Sequence, residues 1–171
     1  MMGQMDPSCP GCDAPELAFA QHDHALCQSD ALARGEVLLA ARGLKMTPVR
    51  RRVLEILLES HRAMGAYDIL ARLAAEGFGS QPPVAYRALD FLEEQGLAHR
   101  IRRLNAFCAC MHPGEAHAPA FLICRSCDAV AEAAAGSVRG ALETAAGLVG
   151  FTVEGSNIEA LGQCADCRGQ S

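Results

Sequence analysis

Pro82-Pro83-Val84-Ala85-Tyr86-Arg87-Ala88-Leu89-Asp90-Phe91-Leu92-Glu93-Glu94-Gln95-Gly96 is a helix punctuated at both ends. Proline suits a first turn, where its missing N–H would have had no partner, and glycine suits the position just past a last turn. Between them Ala85, Ala88, Leu89 and Leu92 recur on one helical face and are expected in the core. The opposite face shows Tyr86, Arg87, Asp90 and Glu94. Upstream, Thr47-Pro48 reads as N-cap and first-turn proline, followed by an apolar stripe of Val49, Val53, Ile56 and Leu57, with Arg50, Arg51 and Arg52 beginning the outer face. Ala66, Ile69, Leu70 and Leu73 predict another helix stopping at Gly77, and Ala33, Val37, Ala40, Ala41 and Leu44 predict an earlier one from Ser29, with Gly43 marking its end. Downstream, residues 97–104 and 106–110 read as two short strands around Asn105. Short helices followed by a basic hairpin are in the order of a winged helix-turn-helix.

The second half has a different pattern. Residues 120–124 and 129–132 read as strands, and Val138, Ala141, Leu142, Ala145, Leu148 and Val149 form an amphipathic helical stripe. Phe151 and Val153 are expected to begin a last alternating strand. The fold class is therefore α+β: an N-terminal winged helix-turn-helix domain at 29–110 and a small C-terminal α/β domain with an antiparallel sheet at 111–171. The boundary lies where His112-Pro113-Gly114 breaks the pattern. Residues 1–28 read as a flexible tail broken by Pro7, Pro10, Gly11 and Pro15. That tail carries the metal-type ligands Cys9, Cys12, His22, His24 and Cys27 at spacings that define no site.

With 171 residues, 50% hydrophobic and 20% charged, the chain can bury a core. It has no apolar run long enough to cross a bilayer and no secretory signal pattern, so a cytoplasmic location away from membranes is expected. Nine cysteines, an odd number, point to metal or redox chemistry rather than a disulfide framework. The net charge of −5 is uneven. Residues 36–105 carry eleven Lys and Arg against eight acids, +3, while residues 1–35 and 106–171 each come to −4. A basic middle between acidic flanks suits contact with nucleic acid by that middle.

Two CxxC knuckles, Cys124-Arg125-Ser126-Cys127 and Cys164-Ala165-Asp166-Cys167, are separated by 36 residues. Each pair of thiolates can span one edge of a zinc tetrahedron, so two pairs complete a structural Zn²⁺ site that clips the end of the chain to its middle. A second group of ligand types surrounds the boundary: His99, Cys110, His117 and Glu132 offer one sulfur, two nitrogens and one oxygen. Cys108 shares a strand face with Cys110 and, with His112, is a rival for the same role.

Residues 83–97, the stretch Thr47-Pro48-Val49-Arg50-Arg51-Arg52-Val53-Leu54, and Phe121-Leu122-Ile123-Cys124-Arg125-Ser126-Cys127 with the Cys164/Cys167 pair resemble the ferric uptake regulator superfamily. Tyr86-Arg87-Ala88-Leu89-Asp90-Phe91-Leu92, with Ala66-Tyr67-Asp68 upstream, is most similar to its zinc uptake regulator branch. The likeness spans roughly residues 30–168, on helix, knuckle and strand signatures together. It implies a homodimeric, non-enzymatic, zinc-responsive repressor of zinc-uptake genes that binds palindromic operator DNA, holds two Zn²⁺ per subunit and takes no small-molecule substrate. Its structural zinc would fall on Cys124, Cys127, Cys164 and Cys167, and its regulatory zinc on His99, Cys110, His117 and Glu132. Tyr86 and Arg87 would face the bases, Tyr67 would belong to the same DNA-binding surface, and Lys45, Arg50 and Arg51, together with Arg102 and Arg103, would contact the phosphates. Relatives commonly have Thr where this chain has Val84, which cannot cap through its side chain. Iron-sensing members usually carry a His-rich run before the first knuckle, where this chain has His117-Ala118-Pro119-Ala120. The alternatives are an iron-, manganese- or peroxide-responsive member of the superfamily, or a thiol redox protein using the CxxC pairs, which would need an exposed, acidic thiol.

Overall fold

The computed structural model describes residue 19, residues 24–114 and residues 119–169, with side chains from residue 28 onward in the first helix. Four helices come first: α1 (His24–Ala41), α2 (Pro48–Leu58), α3 (Ala66–Ala75) and α4 (Pro82–Glu94). A short strand β1 (Met64–Gly65) precedes α3, and the hairpin β2 (Ala98–Ile101) and β3 (Ala106–Ala109) follows α4. These three strands form a sheet in the order β1-β3-β2, with both pairings antiparallel. Then come β4 (Ala120–Cys124), β5 (Val130–Ala133), α5 (Gly136–Leu148), β6 (Ile158–Gly162) and the single turn α6 (Ala165–Arg168).

The local signals placed α2, α3 and α4 well. Thr47 lies at the N-cap of α2, where its hydroxyl accepts the Arg50 N–H at 3.4 Å, and Pro48 opens the first turn. In α4 the four expected residues Ala85, Ala88, Leu89 and Leu92 are buried. Val84 is no cap: Gln81 is the N-cap residue, its carbonyl accepts the Val84 N–H, and Val84 packs on the core. The start of this helix therefore needs no side-chain acceptor at residue 84. Asn105 turns the β2–β3 hairpin with a left-handed φ of 47°, a conformation Asn tolerates better than most residues.

Helix α1 departs from expectation twice. It begins at His24, so His24 and Cys27 belong to the helix rather than to a tail. Its buried face is Ala31, Gly35 and Leu39, not Ala33, Val37, Ala40, Ala41 and Leu44, which are exposed. The cause is close approach. A Cβ on Gly35 would stand 3.3 Å from one Leu97 methyl and 3.5 Å from a Leu54 methyl, so the helix turns its smallest residues inward.

The C-terminal sheet has the order β5-β4-β6. It is mixed rather than antiparallel: β5 is antiparallel to β4, but β6 runs parallel to it. Helix α5 carries the chain from one edge of β4 to the other, so β6 returns in the same sense as β4. Phe151 and Val153 are not in a strand; the last strand starts at Ile158.

The packing ties the halves together. The helices enclose one core with Leu97, Ala98, Phe107 and Ala109 from the hairpin. On the other face of that hairpin, Ile101 and Cys108 pack against Phe121, Ile123 and Val130 of the C-terminal sheet. Strand β3 is thus buried on both faces, which explains its unbroken apolar composition. The loop after α2 joins as well: the Val130 N–H donates to the His61 carbonyl at 2.7 Å, beside an antiparallel bridge between Arg62 and Ala129.

Candidate metal centres and DNA-facing surface

Cys124 ends β4, and Cys164 begins α6 just beyond β6, its neighbour in the sheet. The pairing of these strands brings the knuckles together. Ligand atoms of Cys124, Cys127, Cys164 and Cys167 all lie within 4.8 Å of one another. Cys127 Sγ and Cys164 Sγ are 3.9 Å apart. A disulfide needs ~2.05 Å, whereas a tetrahedron of ~2.3 Å Zn–S bonds has edges of ~3.8 Å, so the four thiols fit a metal. The Cys164 backbone N–H points at Cys124 Sγ at 3.3 Å. This bond, reinforced by the Ser126 and Cys127 amides, pulls the Cys124 thiol down to about 6. Hydrogen bonding to Cys164 and burial push Cys167 up to about 12.

The second group converges at the junction of the halves. His99 lies on β2, Cys110 just beyond β3, and Glu132 on β5. Their ligand atoms also fall within 4.8 Å of one another. Glu132 is 7% exposed. Its carboxylate accepts the Met111 N–H at 3.0 Å and lies 3.4 Å from His99 Nε2 and 3.7 Å from His112 Nδ1. Burying a carboxylate is costly unless it is paired. A carboxylate faced by imidazole nitrogen and a buried thiol is a donor set that a divalent cation would satisfy. His117 lies outside the described residues. Cys108 separates from Cys110 here: it lies in the apolar cluster with Ile101 and Phe121, and burial, then the Glu132 charge, pushes its thiol well above the ordinary value. His112 reaches Glu132 but falls outside the converging set.

On α4, Tyr86 and Arg87 are exposed, and Tyr86 meets Tyr67 of α3 edge to face, with ring centroids 6.5 Å apart. The two tyrosines stand clear of the core with Arg87 beside them. Lys45 is exposed. Arg50 lies over the Phe91 ring, 3.4 Å from its centroid, and donates to the Lys45 carbonyl. Arg51 is already engaged by Glu36 and Glu55, so its charge is less available than that of Lys45. Arg52 is the hub of a network with Glu55, Glu59 and Glu76, and Arg72 also pairs with Glu59. It is an inward-tied strut between α2 and α3.

The model of the ferric uptake regulator family matches residues 41–161. The chain belongs to the ferric uptake regulator family. Within that family its similarity is to zinc uptake regulators. It is 37% identical to the zinc uptake regulation protein of Escherichia coli (strain K12) over 139 residues, 81% of each chain. The same identity and coverage hold for the zinc uptake regulation protein of Shigella flexneri. Among solved structures it resembles a zinc uptake regulator complexed with zinc and DNA, at TM-score 0.78 and 36% identity, over 84% of this chain and 96% of that one. It also resembles the crystal structure of holo XcZur, at TM-score 0.73 and 35% identity, over 83% and 99%. The structure also holds a contact that sequence reasoning missed: Glu159 of β6 reaches the tip of the β2–β3 hairpin. A lone acid on a short strand has no local signal to mark it.

Proposed function

We propose that this chain is a zinc-responsive, dimeric transcriptional repressor that binds palindromic operators of zinc-uptake genes when a regulatory zinc site is filled. The observation that carries the reading is the meeting of His99, Cys110 and Glu132 at the junction between the DNA-facing half and the C-terminal sheet. The similarity to zinc uptake regulators supports it. In this reading the domains are residues 29–110 and 111–171, preceded by the segment 1–28. The protein works in the cytoplasm and needs no catalysis; no helix among the described residues is long and apolar enough to cross a membrane.

Two Zn²⁺ ions per subunit would be held, one by Cys124, Cys127, Cys164 and Cys167, the other by His99, Cys110, His117 and Glu132, and each would supply a tetrahedral cross-link between distant parts of the chain. The four cysteines tie the end of β4 to the chain beyond β6. The mixed set ties β2 and the end of β3 to β5, fixing the angle between α4 and the C-terminal sheet. A sulfur donor at Cys110 favours Zn²⁺ over harder cations.

The second copy has a surface waiting for it. On α5 and just after it, Val138, Leu142, Leu148, Val149 and Phe151 are exposed, as is Leu122 on the face of the sheet away from the wing. A face of that kind is covered in a homodimer by its own copy. With both junctions fixed, the two α4 helices are held to match half-sites about one DNA turn apart, ~34–36 Å. Tyr86, Arg87 and Tyr67 then read bases, and Lys45, Arg50 and, less available, Arg51 contact phosphates. Converting a 1:99 population into 99:1 takes ~5.5 kcal/mol of differential binding, so the regulatory set must be far better formed in one conformer than in the other.

The test is fluorescence anisotropy of a duplex from a zinc-uptake promoter, titrated with protein at buffered free Zn²⁺, with Fe²⁺ and Mn²⁺ in parallel. Tight binding only with Zn²⁺, above the level that fills the four-cysteine site, is expected. Equal or better binding with Fe²⁺ or Mn²⁺ would make this a sensor of another metal.

A further inference from the structure

The register of the C-terminal sheet places three side chains in one row. Phe121 of β4 pairs with Glu132 of β5 on one side and with Glu159 of β6 on the other. Residues paired across neighbouring strands project from the same face of a sheet. Here that face meets the β2–β3 hairpin, the wing. Glu132, at one end of the row, meets the base of the wing at His99 and Met111. Phe121, in the middle, packs on the His99 ring at 5.3 Å between centroids. Glu159, at the other end, holds the tip: Oε1 accepts the Arg102 N–H at 2.7 Å, and Oε2 accepts the Arg103 N–H at 2.9 Å. Asn157 donates to Oε1 at 2.8 Å and steadies the carboxylate. Burial acts against the ionised carboxyl, but the bonds from Asn157 and the two amides outweigh it and hold the group below its ordinary range.

We propose that Glu159 is a positioning residue: a clasp by which the C-terminal sheet holds the wing tip, so that the wing is gripped at both ends in the DNA-binding conformer. The inference rests on the functional reading above and names how that reading sets the angle of the DNA-facing half. The base of the wing is held at His99 and Met111, and Ile101 and Cys108 pack against the C-terminal sheet. His99 and Arg102 are three residues apart along an extended strand, ~10 Å, so the carboxylate adds a directional polar grip at the tip that non-directional apolar packing does not supply. The wing carries α4 with it, because the Leu97 N–H bonds to the Leu92 carbonyl at 2.8 Å and both side chains are fully buried. The two grips are chemically independent. Among the described residues Glu159 bonds backbone amides at the wing tip and Asn157, and it is not one of the converging ligands, so it can be altered without removing one of them.

The test uses the full-length zinc-loaded protein with Glu159→Ala and Glu159→Gln, read by hydrogen exchange of the peptide holding residues 102–103 and by binding to the promoter duplex. In Glu159→Ala the two wing-tip amides should exchange faster, and the zinc-dependent gain in DNA affinity should fall roughly tenfold, within the usual range of coupling between sites. Dimerisation and zinc content should match wild type. Glu159→Gln keeps an acceptor oxygen and should fall between the two, a graded rescue that general destabilisation would not give. A zinc-responsive wild type whose Glu159→Ala variant matches it in both readouts overturns the clasp alone. A wild type with no zinc response overturns the functional reading as well.

Discussion

Helices α4 and α5 are each 13 residues long, yet α4 buries four of its side chains and α5 buries none. Both carry an apolar stripe in sequence. The difference lies in what each has to pack on. Around α4 stand α2, α3 and the wing, enough apolar surface to bury Leu89 and Leu92 completely. Beyond α5 there is one small sheet whose outward Leu122 is also exposed. The N-terminal half is thus stabilised by its own core. In the function proposed above, the C-terminal half would depend on a metal held by its thiol cluster and on a second copy, as suits a unit too small to enclose a core by itself.

The sharpest way to break that contrast is at the knuckles. Cys124→Ser, or a strong chelator, should abolish folding of the C-terminal half and the dimer while α1 to α4 keep their helicity, since structural zinc sites contribute roughly 10–16 kcal/mol. Zinc analysis with circular dichroism and light scattering would show this; a variant that remains dimeric would sink it. Next, Leu89→Ala should lower the stability of the N-terminal half by ~2–5 kcal/mol, the cost of a cavity at a fully buried leucine. It should leave self-association unchanged in sedimentation. Leu142→Asp on α5 should do the reverse. It should weaken the dimer by about 2 kcal/mol, ~30-fold, as loss of an interface anchor does, with no shift in the N-terminal unfolding transition. An unaltered dimer would mean that α5 faces solvent.

The smallest effect belongs to the Arg52 network. Arg52→Ala should cost ~1 kcal/mol or less near neutral pH, because the pairs are partly exposed and screened. Arg72 holds the Glu59 carboxyl below its ordinary value, and Arg52 does the same for Glu76. Carboxyls lowered in the folded state add stability above their unfolded value of 4.5. That stability is lost as pH falls through the folded value. The difference between wild type and Arg52→Ala should therefore be full at about pH 7 and shrink by about pH 3 in urea melts. A difference that grows on acidification would contradict the network.

Regions that close on themselves were readable in advance, and regions that depend on approach were not. The stripes of α2, α3 and α4 could be located because an apolar residue every three or four positions needs only its own helix to be recognised. The buried face of α1 was misread because Gly35 and Ala31 carry little hydrophobic signal; what turns them inward is the nearness of Leu54 and Leu97. The last strand was misplaced because Phe151 and Val153 look like core yet lie short of the pairing that defines β6.

The same division runs through the sites. Pattern in the chain was enough to identify the four knuckle cysteines, because CxxC spacing is itself the chelating geometry. The exposed Tyr86-Arg87 pair was equally visible, because helical period separates it from the buried face. Bringing Cys110 rather than Cys108 together with His99 and Glu132, aligning Glu132, Phe121 and Glu159 in one row, and leaving α5 exposed were decided only by the assembled fold. Those outcomes depend on strand register and packing between segments tens of residues apart. A shift of one residue in that register would turn each of these side chains to the opposite face.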